Sequence, residues 1–145
     1  MKRLKNWDSV GYHNFLIERA HAPFAWGTND CSSFAVDGIK AITGVDIADD
    51  FRNSKYRTKE EAFALITSVT GGSTVADAAA WCAKKHGLVE WEHPLCAQRG
   101  DLVVIVAPTG DLVSGLVHLN GQIVAMGEDG LYILSITKVK RAFHV

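Results

Sequence analysis

Cysteine and proline are both scarce, with three of each in 145 residues. Cys31, Cys82 and Cys96 cannot all pair, which argues against a disulfide framework and for reduced thiols. No internal repeat or low-complexity linker interrupts the chain. An excess of charge of one sign is also lacking: 15 Lys and Arg stand against 16 Asp and Glu. That balance gives no reason to expect nucleic acid or an anionic membrane surface as a partner. The basic residues Lys2, Arg3, Lys5, Lys138, Lys140 and Arg141 read as solvated surface. Long hydrophobic runs are missing as well. The longest, residues 102–108, is far too short to span a bilayer. Met1-Lys2-Arg3 is basic, but no apolar stretch follows, so no signal peptide is expected and synthesis in a cytoplasm is. What remains is a globular composition, 48% hydrophobic and 21% charged, long enough for one domain over residues 1–145 with a real core.

The first two thirds of the chain have helical periodicity. Asp8 or Ser9 is placed to cap a helix carrying Tyr12, Phe15, Leu16 and the stem of Arg19 on one face. A second helix is predicted from about Asp30, with Cys31, Phe34, Ala35, Gly38 and Ile42 as its stripe and Gly44 as its stop. Thr58 with Glu61 forms a capping-box pattern ahead of Ala62, Leu65, Ile66 and Val69. Thr74 opens a fourth helix that Gly87 ends. From Gly100 the period changes to two. "DLVVIV" reads as a buried strand. "SGLVHL" and "QIVAM" flank Asn120-Gly121, a type I′ hairpin signal, and "LYILS" and "RAFHV" are two further strands. "MGEDGL" reads as a tight turn whose carboxylates, Glu128 and Asp129, are solvated charge. Helices followed by antiparallel strands predict an α+β fold, with N-terminal helices packed on a C-terminal antiparallel sheet or half-barrel.

The stretch "FAWGTNDCSSFA" carries the chemistry. Cys31 falls in the first turn of the second helix, where orphan backbone N–H groups and the helix dipole favour an anion and so a thiolate. Its stripe faces the sheet, which could carry a histidine base. The alternative is a buried structural cysteine acting as a small hydrophobe.

The segment "PFAWGTNDCSSFAVDGI" resembles the nucleophile region of the NlpC/P60 cysteine peptidases, a papain-like superfamily. That family shows Tyr-x-x-Gly, then Asp-Cys-Ser-Gly at a helix start, then Gly-Asp-Leu opening a strand. Gly100-Asp101-Leu102 matches the last of these, and the order of helices and strands agrees over most of the chain. Pro-Phe-x-Trp-Gly-x-Asn-Asp-Cys is similar to a divergent branch of small phage tail proteins. The resemblance implies a tail-tip or baseplate component, made in a host cytoplasm and assembled into the virion tail beside other tail-tip proteins. It also implies Cys31 as nucleophile and no cofactor, with Trp26 and Asp30 as candidate substrate-binding residues.

The same resemblance exposes a gap. Aligning Gly115 with the glycine of the family's His-x-Gly places Val113 where the catalytic histidine belongs. The family's third polar position falls at about Val124, and its tyrosine at Phe24. His118 is the nominated substitute base, although it is five residues beyond Val113 and on the opposite face of an ideal strand. His21 and His144 are open by proximity alone. Two expectations follow: a structural tail protein that has lost catalysis, or a peptidoglycan endopeptidase using Cys31 and His118 during genome delivery. A third, weaker reading is a zinc site from Cys82, His86, His93 and Cys96, two cysteine–histidine pairs close in sequence.

Overall fold

A computed structural model describes residues 1–145. The chain starts with a π-helical turn, Trp7–Tyr12, entered through Asn6 at φ 58°. It runs straight into α1 (His13–Ala20), with no side-chain cap between them. The predicted cap at Asp8 or Ser9 is therefore not used as a helix start: Asp8 instead accepts from the Ser9 amide at 2.8 Å within the π turn. The next three helices begin at the predicted caps, and α2 and α4 end at the predicted glycines. α2 (Cys31–Thr43) is capped by Asp30 and stopped by Gly44. α3 (Lys59–Thr70) is capped by Thr58 and stopped by Gly71. α4 (Val75–His86) is capped by Thr74 and stopped by Gly87. At α3 only half of the capping box forms, because the Glu61 carboxylate takes the Arg57 amide rather than that of Thr58.

Six strands follow: β1 (Val89–Glu90), β2 (Leu102–Val106), β3 (Leu112–Val117), β4 (Gln122–Gly127), β5 (Gly130–Ser135) and β6 (Val139–His144). They form one antiparallel sheet in the order β1-β6-β2-β3-β4-β5. Asn120 and Gly121 both have positive φ, 56° and 68°, as a type I′ turn between β3 and β4 requires. The two-residue β1 strand has no signature in the sequence; it is set by pairing with β6.

Alternation divides the sheet residues between two cores. Leu102, Val104, Leu116, Val124, Met126 and Phe143 face the helices and pack with Tyr12, Phe15, Phe34, Ile39 and Ile42. Val103, Ile105, Val117, Ile123, Ala125 and Ala142 form a second cluster on the other face, covered by Trp91, Ala97 and Ile136. α2 lies close against β3 because residue 38 is glycine: a Cβ there would collide with Leu116 and with the Phe15 ring. No helix is long and apolar enough to cross a membrane.

Asp101, of the Gly-Asp-Leu motif, ties the chain ends to the sheet. Its side chain is fully buried. One oxygen accepts from Arg3 Nη2 at 3.0 Å, from the Val145 amide at 3.0 Å, and meets His144 Nδ1 at 3.1 Å. The other accepts from Trp91 Nε1 and the Gln98 amide, both at 2.8 Å. A buried carboxylate with all its acceptor sites filled is strongly favoured in place, and removing it leaves every donor unmatched. Asp101→Ala should cost about 3 kcal/mol or more in urea unfolding, whereas an unchanged midpoint would show that the hub carries little of the fold.

Candidate functional site

The loop before α2 is built around two buried polar side chains. Asn29 donates to the carbonyls of Pro23 (2.9 Å) and Ala22 (3.3 Å) and accepts from Arg19 Nη1 at 3.0 Å. Arg19 is in turn held by Asp37 on α2. Asp30 closes a capping box: its Oδ1 accepts from the Ser33 amide (2.9 Å) and hydroxyl (3.1 Å), and the Asp30 amide donates to Ser33 Oγ at 2.8 Å. Its Oδ2 accepts from the Gly27 amide at 2.8 Å and from the Tyr56 hydroxyl at 2.6 Å. Gly27, at φ 88°, lies where a Cβ would run into the Tyr56 carbonyl oxygen. Gly27, Asn29 and Asp30 thus each have a structural task, and together they seat Cys31 at the first position of α2.

Cys31 opens on a cleft of about 510 Å³. Phe24, Trp26, Phe63 and Tyr132 supply aromatic walls, and Met126 comes in from β4. Phe24 and Trp26 meet edge to face at 5.0 Å. Lys59 and Asp111 stand 3.8 Å apart across the mouth. A second cavity of about 400 Å³, lined by Ser114, Phe51 and Ile66 among others, lies beyond Ser32 and Tyr56.

Burial pushes the Cys31 pKa up, and the adjacent Asp30 carboxylate raises it further, against main-chain hydrogen bonding at Ser114 and the Ser32 hydroxyl 3.9 Å away. A helix start alone predicts the opposite shift. The difference has a local cause: burial of the thiol outweighs the helix end, and the Asp30 carboxylate, which already takes the Ser33 amide, adds to it.

The candidate residues are distributed as follows. Cys31, Trp26 and Asp30 come together in the cleft. Both oxygens of Asp30 are spent on the protein, so it shapes the floor rather than offering a free carboxylate to a ligand. None of the six histidines in the chain lines the cleft. His118 lies just past the end of β3, beside Tyr12 of the helix-side core and on the face opposite Val113, as its odd spacing predicts. It lies four residues beyond Ser114, roughly 13 Å at about 3.3 Å per residue. There it meets the Tyr12 ring edge-on at 6.2 Å, and burial and Arg99 lower its pKa. His21 is exposed at the end of α1, and His144 is engaged with Asp101 and Trp91.

Val113 packs with the second cluster and also lines the cleft that holds Cys31. The Ser114 main chain lies beside Cys31, and its buried side chain lines the second cavity. Val124 does face the helices, level with Leu116 rather than with the thiol. The four zinc candidates do not converge. Cys82 is in the core with its pKa pushed up to about 12 by burial, His86 bonds Asp49 at 2.9 Å, and Cys96 is exposed. No group of three or more His, Cys, Asp or Glu is placed to hold a metal, His93 included. Two residues of the site escape sequence reasoning, Tyr56 and Ser114. Tyr56 sits in irregular chain with no pattern to mark it. Ser114 is readable once the alternation is counted back from the Asn120-Gly121 turn.

This arrangement of a helix-start cysteine over an antiparallel sheet defines a fold class. The chain is similar to the crystal structure of the NlpC/p60 domain of the peptidoglycan hydrolase SagA, with a TM-score of 0.56 and 15% identity over 93% of this chain and 97% of that one. The fold is therefore NlpC/P60-like, of the papain type. Within that fold the chain belongs to the family described as a domain of unknown function, DUF6950, which matches residues 2–145. No curated protein matches it.

A raised thiol pKa has a kinetic consequence, since only thiolate reacts with alkylating agents. Iodoacetamide labelling of Cys31, followed by peptide mass spectrometry, should be slow at pH 7. It should rise only above the pH range of a free thiol, about 8.5. Fast labelling at neutral pH would contradict the electrostatics described.

Proposed function

We propose that this chain is a structural component of a tailed-phage tail tip or baseplate, in which an NlpC/P60-like scaffold is kept without cysteine-peptidase chemistry. One observation carries the non-catalytic part: no imidazole lines the cleft that holds Cys31. A general base must come within roughly 3 Å of the proton it removes, or act through one water. Here the charged group beside the thiol is a carboxylate, Asp30, which opposes ionisation. The phage part rests on the Pro-Phe-x-Trp-Gly-x-Asn-Asp-Cys resemblance. Its partners are then neighbouring tail-tip proteins, with peptidoglycan as a surface met during delivery. The protein is made in the host cytoplasm and carried in the virion.

The geometry lends a scaffolding sense to that motif. Gly27 admits the Tyr56 carbonyl, Asn29 ties the loop, and Asp30 caps α2 and anchors Tyr56. All of these are needed whether or not Cys31 reacts. A second reading is supported by the open cleft itself: a partner chain that placed an imidazole over Cys31 would turn the same floor into a peptidoglycan endopeptidase site.

Purified protein incubated with peptidoglycan should release no muropeptides that depend on Cys31, judged against Cys31→Ala. Cysteine-dependent release would establish the peptidase reading instead. Val113→His places an imidazole at a β3 position that lines the same cleft as Cys31. It should speed iodoacetamide labelling of Cys31 at pH 7 by roughly tenfold or more, the sign expected for an imidazolium beside a thiolate. In the phage, deletion of the gene should leave heads but few infectious tails, and normal tails without the protein would contradict the assembly role.

A further inference from the structure

The two edges of the sheet are treated differently. The β1 edge is two residues long, and Glu90 on it forms a bidentate pair with Arg141 of β6 at 2.9 and 2.7 Å. Short length and charge are the usual protections against edge-to-edge pairing. The β5 edge has neither. It is six residues, "GLYILS", with no charge, no proline and no register irregularity against β4. Gly127 and Gly130 close the β4–β5 hairpin around the two-residue turn Glu128-Asp129. In antiparallel pairing, hydrogen-bonded positions alternate, so Gly130, Tyr132 and Leu134 point their amides and carbonyls at β4. Leu131, Ile133 and Ser135 point theirs outward. None of those three amides donates to any loop or side-chain acceptor elsewhere in the chain. Ile133, at the centre, is 50% exposed.

We propose that β5 is a self-association edge, pairing antiparallel with β5 of a second copy about a two-fold axis through Ile133. This register is the one in which all the outward groups meet outward groups. Ile133 faces Ile133 of the partner subunit, and Leu131 faces the partner's Ser135. Tyr132 and Leu134 become neighbours on the other face. A two-fold of this kind is isologous, so one patch serves both chains. Charge complementarity beyond the strand singles out a second copy. The same axis brings the turn carrying Glu128 and Asp129 beside the 3-10 turn Ile136–Lys138 of the copy, which carries Lys138. Glu128 and Lys138 are both exposed. Neither takes part in an ion pair within its own chain. The joined sheets would run continuously through twelve strands, twice the six of one copy. The Cys31 clefts, each lined in part by Gly130, Leu131 and Tyr132, would flank the seam.

Sedimentation equilibrium of the full chain, with Cys96→Ser to remove the exposed thiol, tests this. The parent protein should show a concentration-dependent monomer–dimer equilibrium. Ile133→Lys, which sets like charges opposite each other at the axis, should weaken it by at least about tenfold. It should leave the far-UV circular dichroism unchanged, because the site is an edge. Glu128→Lys alone should weaken the dimer, and Glu128→Lys with Lys138→Glu should restore it, a rescue that a merely destabilised fold would not give. Ile133→Cys should be joined to its copy by a short bis-maleimide linker, and Val89→Cys on the other edge should not. A parent protein that stays monomeric, a dimer indifferent to Ile133→Lys, or a charge swap without rescue would each overturn the proposal.

Discussion

The structure around Cys31 depends on one carboxylate. Asp30 caps α2 through the Ser33 amide, fixes the tight turn through the Gly27 amide, and holds the long 44–58 connection through the Tyr56 hydroxyl. Three parts of the chain meet at two oxygen atoms. The consequence for chemistry is less obvious. A helix start favours one anion close by, and here Asp30 takes that place. Cys31, next in the chain, is left with desolvation and a neighbouring negative charge, both of which favour the neutral thiol. The feature that positions the cysteine also adds to burial in disfavouring its thiolate.

The sheet completes this arrangement through register. Strand side chains alternate, so a shift of one residue moves a group from the cleft to the opposite face. On β3, Leu112 and Leu116 pack with the helix-side core, and the main chain of buried Ser114 between them lies beside the thiol. Gly38 matters for the same reason. By letting α2 settle against Leu116, it fixes how far down the strand the start of the helix reaches. At the far end, the Asp101 hub locks the first residues and the last to the start of β2. The sheet therefore cannot slide to bring His118 or His144 toward the cleft without breaking that network.

Much of this is legible in the sequence, for identifiable reasons. Helix limits are readable at Asp30, Thr58, Thr74, Gly44 and Gly87 because caps and left-handed stops are local chemistry. The β3–β4 hairpin is readable because Asn-Gly accepts two positive φ values in succession. The π turn at residues 7–12 is not, since nothing in its composition departs from an ordinary helix. β1 is not, since two residues carry no period. At the site, the motif points to Cys31, Trp26 and Asp30, but it assigns Asp30 to substrate. The structural use of its second oxygen comes from Tyr56, 26 residues away, which no local pattern reveals. Anchoring the alignment on Gly115 puts Val113 in the place of the family histidine, and Val113 does line the cleft. His118, five residues on, packs against Tyr12 instead, and its distance along the strand keeps it remote from Cys31.

The central claim is that Cys31 has no imidazole partner within the chain. It is tested most directly by NMR titration of the ring nitrogens of all six histidines in the parent protein and in Cys31→Ala. With no thiol–imidazole pair, the titration curves should superimpose between the two proteins. A histidine whose curve moves when the thiol is removed would identify a coupled partner and contradict the account.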